Sequence, residues 1–380
     1  MRITVCNAFI NSGPRAFAIA GMLATLLTAC GGRPASPNPA AFALTLSGDE
    51  ENVIPPATPG LQFTPDEHMP FIQQPDGAFK LWASGGGMYG TYLFQTPDLD
   101  TLGSPTRVFL PAGAGTTAFD ADYAGPGSIF RASNGTDLLM IYHAENHLYD
   151  GVDYPGVPFY AGIGLARSQD GGLTWWREGE IISGHDPQQT TQTSAGAGAG
   201  TPSAIESNGY IYVIFHETDL QSGISGFGIA RAPISSDGAP GAWEKYDQGS
   251  FSTPGLGGAF TPLGIILDPT APGDQRQPHL SYNSYMNEFV LVAVGNGGIY
   301  ELVSQDLISW SQGQVVLPAP APAAANAGGP RNWYPTLVTP SGPSDETTGQ
   351  SGYLYYAKFA GNGSSDHSLY RQSFTIARVQ

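Results

Sequence analysis

Residues 202–215 read Pro202-Ser203-Ala204-Ile205, a turn, then Tyr210-Ile211-Tyr212-Val213-Ile214-Phe215. A proline opens a short strand, and the strand after the turn is apolar at every position. An unbroken apolar strand suits a sheet covered on both faces, whereas a half-solvated sheet alternates. The same arrangement occurs four more times. Met69-Pro70-Phe71-Ile72 leads to Phe79-Lys80-Leu81-Trp82, and Pro126-Gly127-Ser128-Ile129 leads to Leu138-Leu139-Met140-Ile141-Tyr142. Pro278-His279-Leu280 leads to Phe289-Val290-Leu291-Val292, and Pro335-Thr336-Leu337-Val338 to Tyr353-Leu354-Tyr355-Tyr356. The prolines stand 56, 76, 76 and 57 residues apart, lengths that fit one four-stranded unit with variable loops.

Third strands follow in the pattern, such as Ile163-Gly164-Leu165-Ala166-Arg167, Phe227-Gly228-Ile229-Ala230-Arg231 and Ile299-Tyr300-Glu301-Leu302-Val303. With 51 glycines and 32 prolines the chain reads as many turns and short strands. These features predict an all-β fold, a five-bladed β-propeller of four-stranded antiparallel blades over residues 42–380. The fifth unit runs out of sequence before a fourth strand, which Phe42-Ala43-Leu44-Thr45-Leu46 is placed to supply. A β-sandwich with coincidental spacing is the competing reading.

A local motif supports the propeller. Ser168-Gln169-Asp170-Gly171-Gly172-Leu173-Thr174-Trp175 resembles the Asp-box of sialidases and related propellers, a tight turn in which a carboxylate accepts backbone N–H bonds and glycine takes φ > 0. Ser304-Gln305-Asp306-Leu307-Ile308-Ser309-Trp310 and Thr96-Pro97-Asp98-Leu99 are degenerate copies. The Ser-x-Asp-Leu-x-x-Trp form resembles glycoside hydrolase families 43 and 32. That resemblance implies a propeller related to the furanosidases and xylosidases, with its sugar site in the central funnel.

The first 29 residues read as a signal peptide. Arg2 and Arg15 flank a polar start, and residues 16–27 form an apolar run too short to span a bilayer. The run ends in Leu27-Thr28-Ala29-Cys30, which resembles a bacterial lipobox with Cys30 as the lipidated residue. Membrane attachment would then be through lipid, with residues 30–41 as lipidated cysteine and tether. Gly31, rather than an inner-membrane-retaining Asp, follows the cysteine, so the resemblance to Gram-negative lipoproteins implies the outer membrane and leaves the face, periplasmic or external, open. With Cys6 in the leader and Cys30 acylated, no disulfide and no thiol nucleophile remain. The formal charge of −17 argues against nucleic acid, whose affinity rests on Lys and Arg. A monomer is expected.

The Asp turns orient the molecule. If they mark one end, the loops entering each first strand and leaving each second strand converge at the other. Polar residues gather there: Asp66, Glu67 and His68; Asp120, Asp122 and Tyr123; His143 and Glu145; His216 and Glu217; and Arg331, Trp333 and Tyr334. A glycosidase needs two carboxyl groups flanking the scissile bond, one of them protonated. The family resemblance implies Asp66 or Glu67 as base or nucleophile and Asp122, or Asp120, as the orienting acid. It also implies Glu217 as proton donor, with Glu145 as its rival. Trp333 and Tyr334 would stack on a sugar ring, and Arg331 would meet a hydroxyl or carboxylate. His68, His143, His216 and His279 would face substrate. They have a second reading, a divalent cation on the axis, calcium or zinc, although no close His-x-His spacing supports it. The partner expected is a polysaccharide or oligosaccharide, of neutral pentosides or furanosides rather than sialic acid. The other function class is a propeller that binds glycan or protein without catalysis.

Overall fold

The structure, a computed structural model, describes residues 42–54, 64–85, 90–100, 102–113, 116–147, 159–188, 196–271, 275–320, 330–359 and 367–379. The leader, the lipobox with Cys30 and residues 31–41 lie outside the described residues. Among the described residues every regular element is a strand except one 3-10 turn, Ile234–Ser236.

The first strand, β1 (Phe42–Ile54), belongs to the last unit. Unit one is β2 (Phe71–Gln73), β3 (Phe79–Gly85), β4 (Gly90–Thr96) and β5 (Thr106–Phe109), paired antiparallel in that order. Unit two is β6 (Tyr123–Arg131), β7 (Leu138–His147), β8 (Phe159–Ser168) and β9 (Trp176–Ser183). Unit three is β10 (Ala197–Ser207), β11 (Tyr210–Thr218), β12 (Ser225–Pro233) and β13 (Glu244–Asp247), extended by β14 (Ser250–Pro254). Unit four is β15 (Arg276–Asn283), β16 (Glu288–Gly295), β17 (Gly298–Ser304) and β18 (Gln314–Pro318). The fifth contains β19 (Arg331–Val338), β20 (Thr347–Thr348), β21 (Ser351–Phe359) and β22 (His367–Arg378). Of these β20 leaves its unit to pair in parallel with β15. The outer edge is completed by β1, antiparallel to β22 from Phe42↔Arg378 to Ser47↔Ser373. The N-terminal strand thus closes the last unit, as the sequence predicts.

The apolar side chains explain the ring. Alternate residues of each second strand face opposite neighbours: Leu138, Met140 and Tyr142 of β7 pack on Trp82 and Phe109 of unit one, while Leu139 and Ile141 pack on Val213 and Phe215 of unit three. Three more clusters join units three and four, four and five, and five and one. Packing between successive units, two of which share one nine-stranded sheet through a parallel β8–β10 pair, replaces the single interlayer core of a sandwich. The fold is an all-β propeller.

The inner strands are also tied to one another by polar contacts. Ser128 Oγ accepts the N–H of Ala204 at 2.8 Å, and Ser203 Oγ accepts that of Leu280 at 2.9 Å. His279 Nδ1 accepts from Leu337 N–H at 3.4 Å, and Thr336 Oγ1 from Met69 N–H at 3.1 Å. Each acceptor stands one or two residues after a repeat proline, so the repeat carries a belt of hydrogen bonds around the axis.

The Asp turns lie between third and fourth strands. Asp170 Oδ1 accepts Leu173 N–H at 3.0 Å and Thr174 N–H at 2.9 Å. Asp306 Oδ1 accepts Ile308 and Ser309 N–H at 2.9 and 2.7 Å. Trp175 and Trp310 each donate their indole N–H to the turn at 3.1 Å.

Candidate active site

The repeat prolines mark irregularities that build the site. Inner strands lose register between Pro126 and Ser128, Gly200 and Ser203, Arg276 and His279, and Trp333 and Thr336. Proline cannot donate to the ladder, so a bulge at that place costs little extra pairing and re-aims the preceding residue. Thr201, Gln277 and Tyr334, each just before its proline, adopt φ of 48°, 52° and 52°. Such a backbone costs a non-glycine residue about 1–3 kcal/mol and is met mainly where function over-determines it. All three line one pocket of about 670 Å³ at the end of the axis opposite the Asp turns.

The strand period selects what else enters. On β7 the face that buries Leu139 and Ile141 continues as His143, Glu145 and His147. On β11 the face carrying Ile214 continues as His216 and Thr218, while Ile211, Val213 and Phe215 continue as Glu217. His143, Glu145, His216 and Thr218 line the pocket, joined by Asp66, Glu67, Tyr123, Arg276, Arg331 and Trp333. Two glycines make room. A Cβ on Gly200 would lie 2.5 Å from His143 Cε1, and one on Gly125 would lie 2.9 Å from Glu67 Cγ.

Two carboxyl groups meet at one imidazole, and a third stands in the same pocket. His143 Nδ1 accepts the N–H of Thr201 at 3.1 Å, so its proton is on Nε2. That nitrogen donates to Glu145 Oε1 at 3.1 Å and lies 3.8 Å from Glu67 Oε1. His147 Nε2 meets the other oxygen of Glu145 at 2.8 Å. Burial alone would raise the pKa of Glu145, but the bonds from His143 and His147 outweigh it and hold the group below its ordinary value. Asp66 goes the other way. Burial, then the charge of Glu145, pushes it up to about 8, against a hydrogen bond from Tyr334 Oη at 3.1 Å. Burial and the charges of Asp66 and Glu145 lift Glu67 well above its usual range. Carboxyl groups forced apart in this way are suited to one acid and one base at the same pH.

Several expected residues lie elsewhere. Glu217 faces away from the pocket and is fully buried; its Oε2 meets Lys245 Nζ at 2.7 Å and its Oε1 accepts His185 N–H at 2.7 Å. Lys245 also donates to Ser183 O and Gly258 O, so this is an internal ion pair and corrects the proton-donor expectation. Asp120 is buried beneath, bound to Tyr142 and Arg177, and is corrected likewise. Asp122 does not line the pocket; it accepts the His147 N–H at 2.7 Å and so braces the Glu145 strand. His68 and His279 are also outside the lining, fully buried on the axis with rings 5.8 Å apart. Burial, followed by the charge of His279, lowers His68 to about 3, which keeps it neutral. His279 serves the belt, and its Nε2 lies 3.5 Å from Asp345. Among the described residues no three His, Cys, Asp or Glu side chains converge in metal-holding geometry. The four histidines divide instead, two in the pocket wall and two beneath it.

Trp333 lines the pocket and stacks on Phe359 at 6.1 Å and 8°. The Arg331 guanidinium covers both rings, 4.3 and 5.1 Å from their centroids. Thr201, Gln277, Thr218, Phe159 and His147 were not singled out by sequence; for Thr201 and Gln277 the place before a repeat proline is the available signal.

No protein-family model matches the chain, and no curated protein matches its sequence. Solved structures match its fold. A family 117 glycoside hydrolase from the marine bacterium Zobellia galactanivorans superposes with a TM-score of 0.52 at 13% identity, over 87% of this chain and 91% of that one. The catalytic domain of a family 62 α-L-arabinofuranosidase from Coprinopsis cinerea gives 0.50 at 13% identity, over 90% and 100%. An α-L-arabinofuranosidase from Lactobacillus brevis gives 0.50 at 12% identity, over 84% and 92%. The chain therefore shares the propeller fold of these glycoside hydrolases.

Proposed function

We propose that the chain is a glycoside hydrolase acting on a saccharide of the cell envelope or its surroundings, held to the membrane through Cys30. The observation that carries the reading is one pocket lined by Asp66, Glu67 and Glu145 in which His143 and His147 bond Glu145 alone, holding it below its ordinary pKa while burial raises Asp66. Glu145 and Glu67 both approach the same nitrogen of His143, at 3.1 and 3.8 Å, and so cannot be further apart than those two legs end to end. Asp66 lines the same pocket and feels the charge of Glu145, which supports reading the two as the carboxyl pair that flanks a glycosidic bond. Asp66, partly exposed and protonated up to about pH 8, donates to the leaving oxygen. Glu145, held ionised by two histidines, acts as base or nucleophile on the other side. Glu67 lines the same pocket, and its neutral form avoids a second negative charge beside Glu145. These roles reverse the order expected from the family resemblance, because the imidazoles surround Glu145 and not Asp66. The ring of Trp333, with Phe359 and Arg331 packed against it, gives the pocket an apolar wall for the sugar.

The test is hydrolysis of a panel of aryl glycosides and polysaccharides by the purified full chain in detergent. Turnover of one substrate, reduced at least a thousandfold in Asp66→Asn and Glu145→Gln with folding intact, is the expected result. Binding without turnover on the whole panel would instead favour a non-catalytic glycan-binding propeller.

A further inference from the structure

The pocket is electrically divided. Units one and two supply the carboxyl groups, from Asp66 and Glu67 before β2 and Glu145 on β7. Units four and five supply two guanidinium groups, Arg276 opening β15 and Arg331 opening β19. Unit three, with Thr201, His216 and Ser225, lies between them on one side, and on the other unit five adjoins unit one, where Tyr334 Oη donates to Asp66. Only 15 Lys and Arg stand against 32 Asp and Glu in the whole chain. Two arginines on one wall of the catalytic pocket are therefore a specific arrangement for so acidic a protein. Each repels the other, and the charge of Arg276, after burial, weakens the hold of Arg331 on its proton. An anion between or against them relieves that repulsion.

Arg331 is also oriented in advance. Its guanidinium carbon lies over Trp333 and Phe359, 4.3 and 5.1 Å from the ring centroids, and these cation–π contacts hold the head group against the pocket wall. A guanidinium so held is the group that meets an oxyanion in bidentate fashion. We infer that the sugar bound in the pocket carries an oxyanion, a uronate carboxylate or a sulfate ester, directed to Arg276 and Arg331 while its glycosidic oxygen faces Asp66 and Glu145. This rests on the glycosidase reading for the placement of the bond, and it replaces the neutral sugar expected from the sequence. The two sources share one chemistry, an anionic oxygen cluster on a pyranose or furanose ring.

Binding separates the inference from the catalytic reading. Calorimetric titration of the full chain in detergent would use methyl glucuronide, methyl galacturonide and galactose 6-sulfate, each beside its uncharged parent sugar. At least one acidic probe is expected to bind tenfold or more tightly than its parent, by an advantage that shrinks as salt rises. Preference for a uronide over the sulfate, or the reverse, identifies the source. Arg276→Gln and Arg331→Gln should each bring the acidic probe towards the affinity of its parent. Arg276 is exposed, so its variant tests the point without disturbing the Trp333 stack. Equal or tighter binding of the neutral parents, no binding of any acidic probe, or a preference that survives both variants would overturn the inference. Hydrolysis of a neutral glycoside with no acidic preference would overturn it while leaving the glycosidase reading standing. Acidic preference without turnover would support it while removing that reading.

Discussion

Replacing Glu217 by Gln isolates the interior ion pair from the chemistry. Lys245 has three hydrogen-bond acceptors, Glu217 Oε2 at 2.7 Å, Ser183 O at 2.7 Å and Gly258 O at 2.9 Å, and neither charged side chain has solvent contact. A glutamine there keeps one oxygen for the His185 N–H but turns an amide NH2 towards the ammonium. The result is a buried cation with two neutral acceptors and no counter-charge. Removing one member of a buried pair costs about 3–5 kcal/mol, because the survivor stays desolvated. For a domain of this size that is a drop on the order of 5–10 °C in melting temperature. Replacing both members with methionine should recover most of the loss, since two apolar side chains need no partner. Differential scanning calorimetry reads the stability, and turnover per folded molecule should stay within about twofold of wild type at a temperature where both are folded. A Glu217→Gln chain with unchanged melting temperature and abolished turnover would refute the reasoning and return Glu217 to the reaction.

Two other outcomes follow from the same contacts. Gly200→Ala drives a methyl group against His143, at 2.5 Å from Cε1 and 2.7 Å from Nδ1, so the ring must move off Thr201 N–H and Glu145. Turnover should fall by about 10–100-fold, as for a displaced catalytic group, with a melting temperature within a few degrees of wild type. The pH dependence of stability is set by carboxyl groups whose folded pKa values exceed the unfolded ones: Asp66 at about 8, Glu180 and Glu301 at about 7, and Glu67 and Glu346 well above normal. The folded chain binds these protons more tightly, so stability is greatest near the unfolded range of about 4 and declines as pH rises through 7–8. Asp170, lowered to about 2 against burial by its turn hydrogen bonds, contributes with the opposite sign and loses its stabilisation in strong acid. Melting should therefore occur at a higher temperature near pH 5 than near pH 8.5, and the reverse order would contradict the assignment of buried neutral carboxyl groups.

The repeat was legible in the sequence because its causes are local. Each proline, turn and apolar second strand follows from backbone chemistry, and β1 closing on β22 follows from counting strands. The convergence of Asp66, Glu67, Tyr123, His143, Glu145, His216, Arg331, Trp333 and Tyr334 on one pocket also follows from topology alone. Which carboxylate faces the funnel depends on strand parity. Matching Glu217 by its place at the end of β11 overlooks that it is out of step with His216, whereas Glu145 is in step with His143. Asp120, Asp122, His68 and His279 were beyond sequence reading for another reason. Their directions are fixed by partners such as Arg177, the His147 amide and the Leu337 amide, from loops and strands far along the chain. The Thr201, Gln277 and Tyr334 conformations arise from bulges, which pair two residues against one and leave only the following proline as a trace.

The most direct measurement of the central claim is the pH dependence of kcat/KM for wild type, Asp66→Asn and Glu145→Gln on the best substrate of the panel. The profile of the wild type should be bell-shaped, falling above about pH 8 as Asp66 loses its proton and falling in acid as Glu145 gains one. The small residual activity of Asp66→Asn should lose the alkaline limb, and that of Glu145→Gln the acid limb. Near-wild-type turnover in both variants, or limbs that remain where they are when these residues are replaced, would contradict the account.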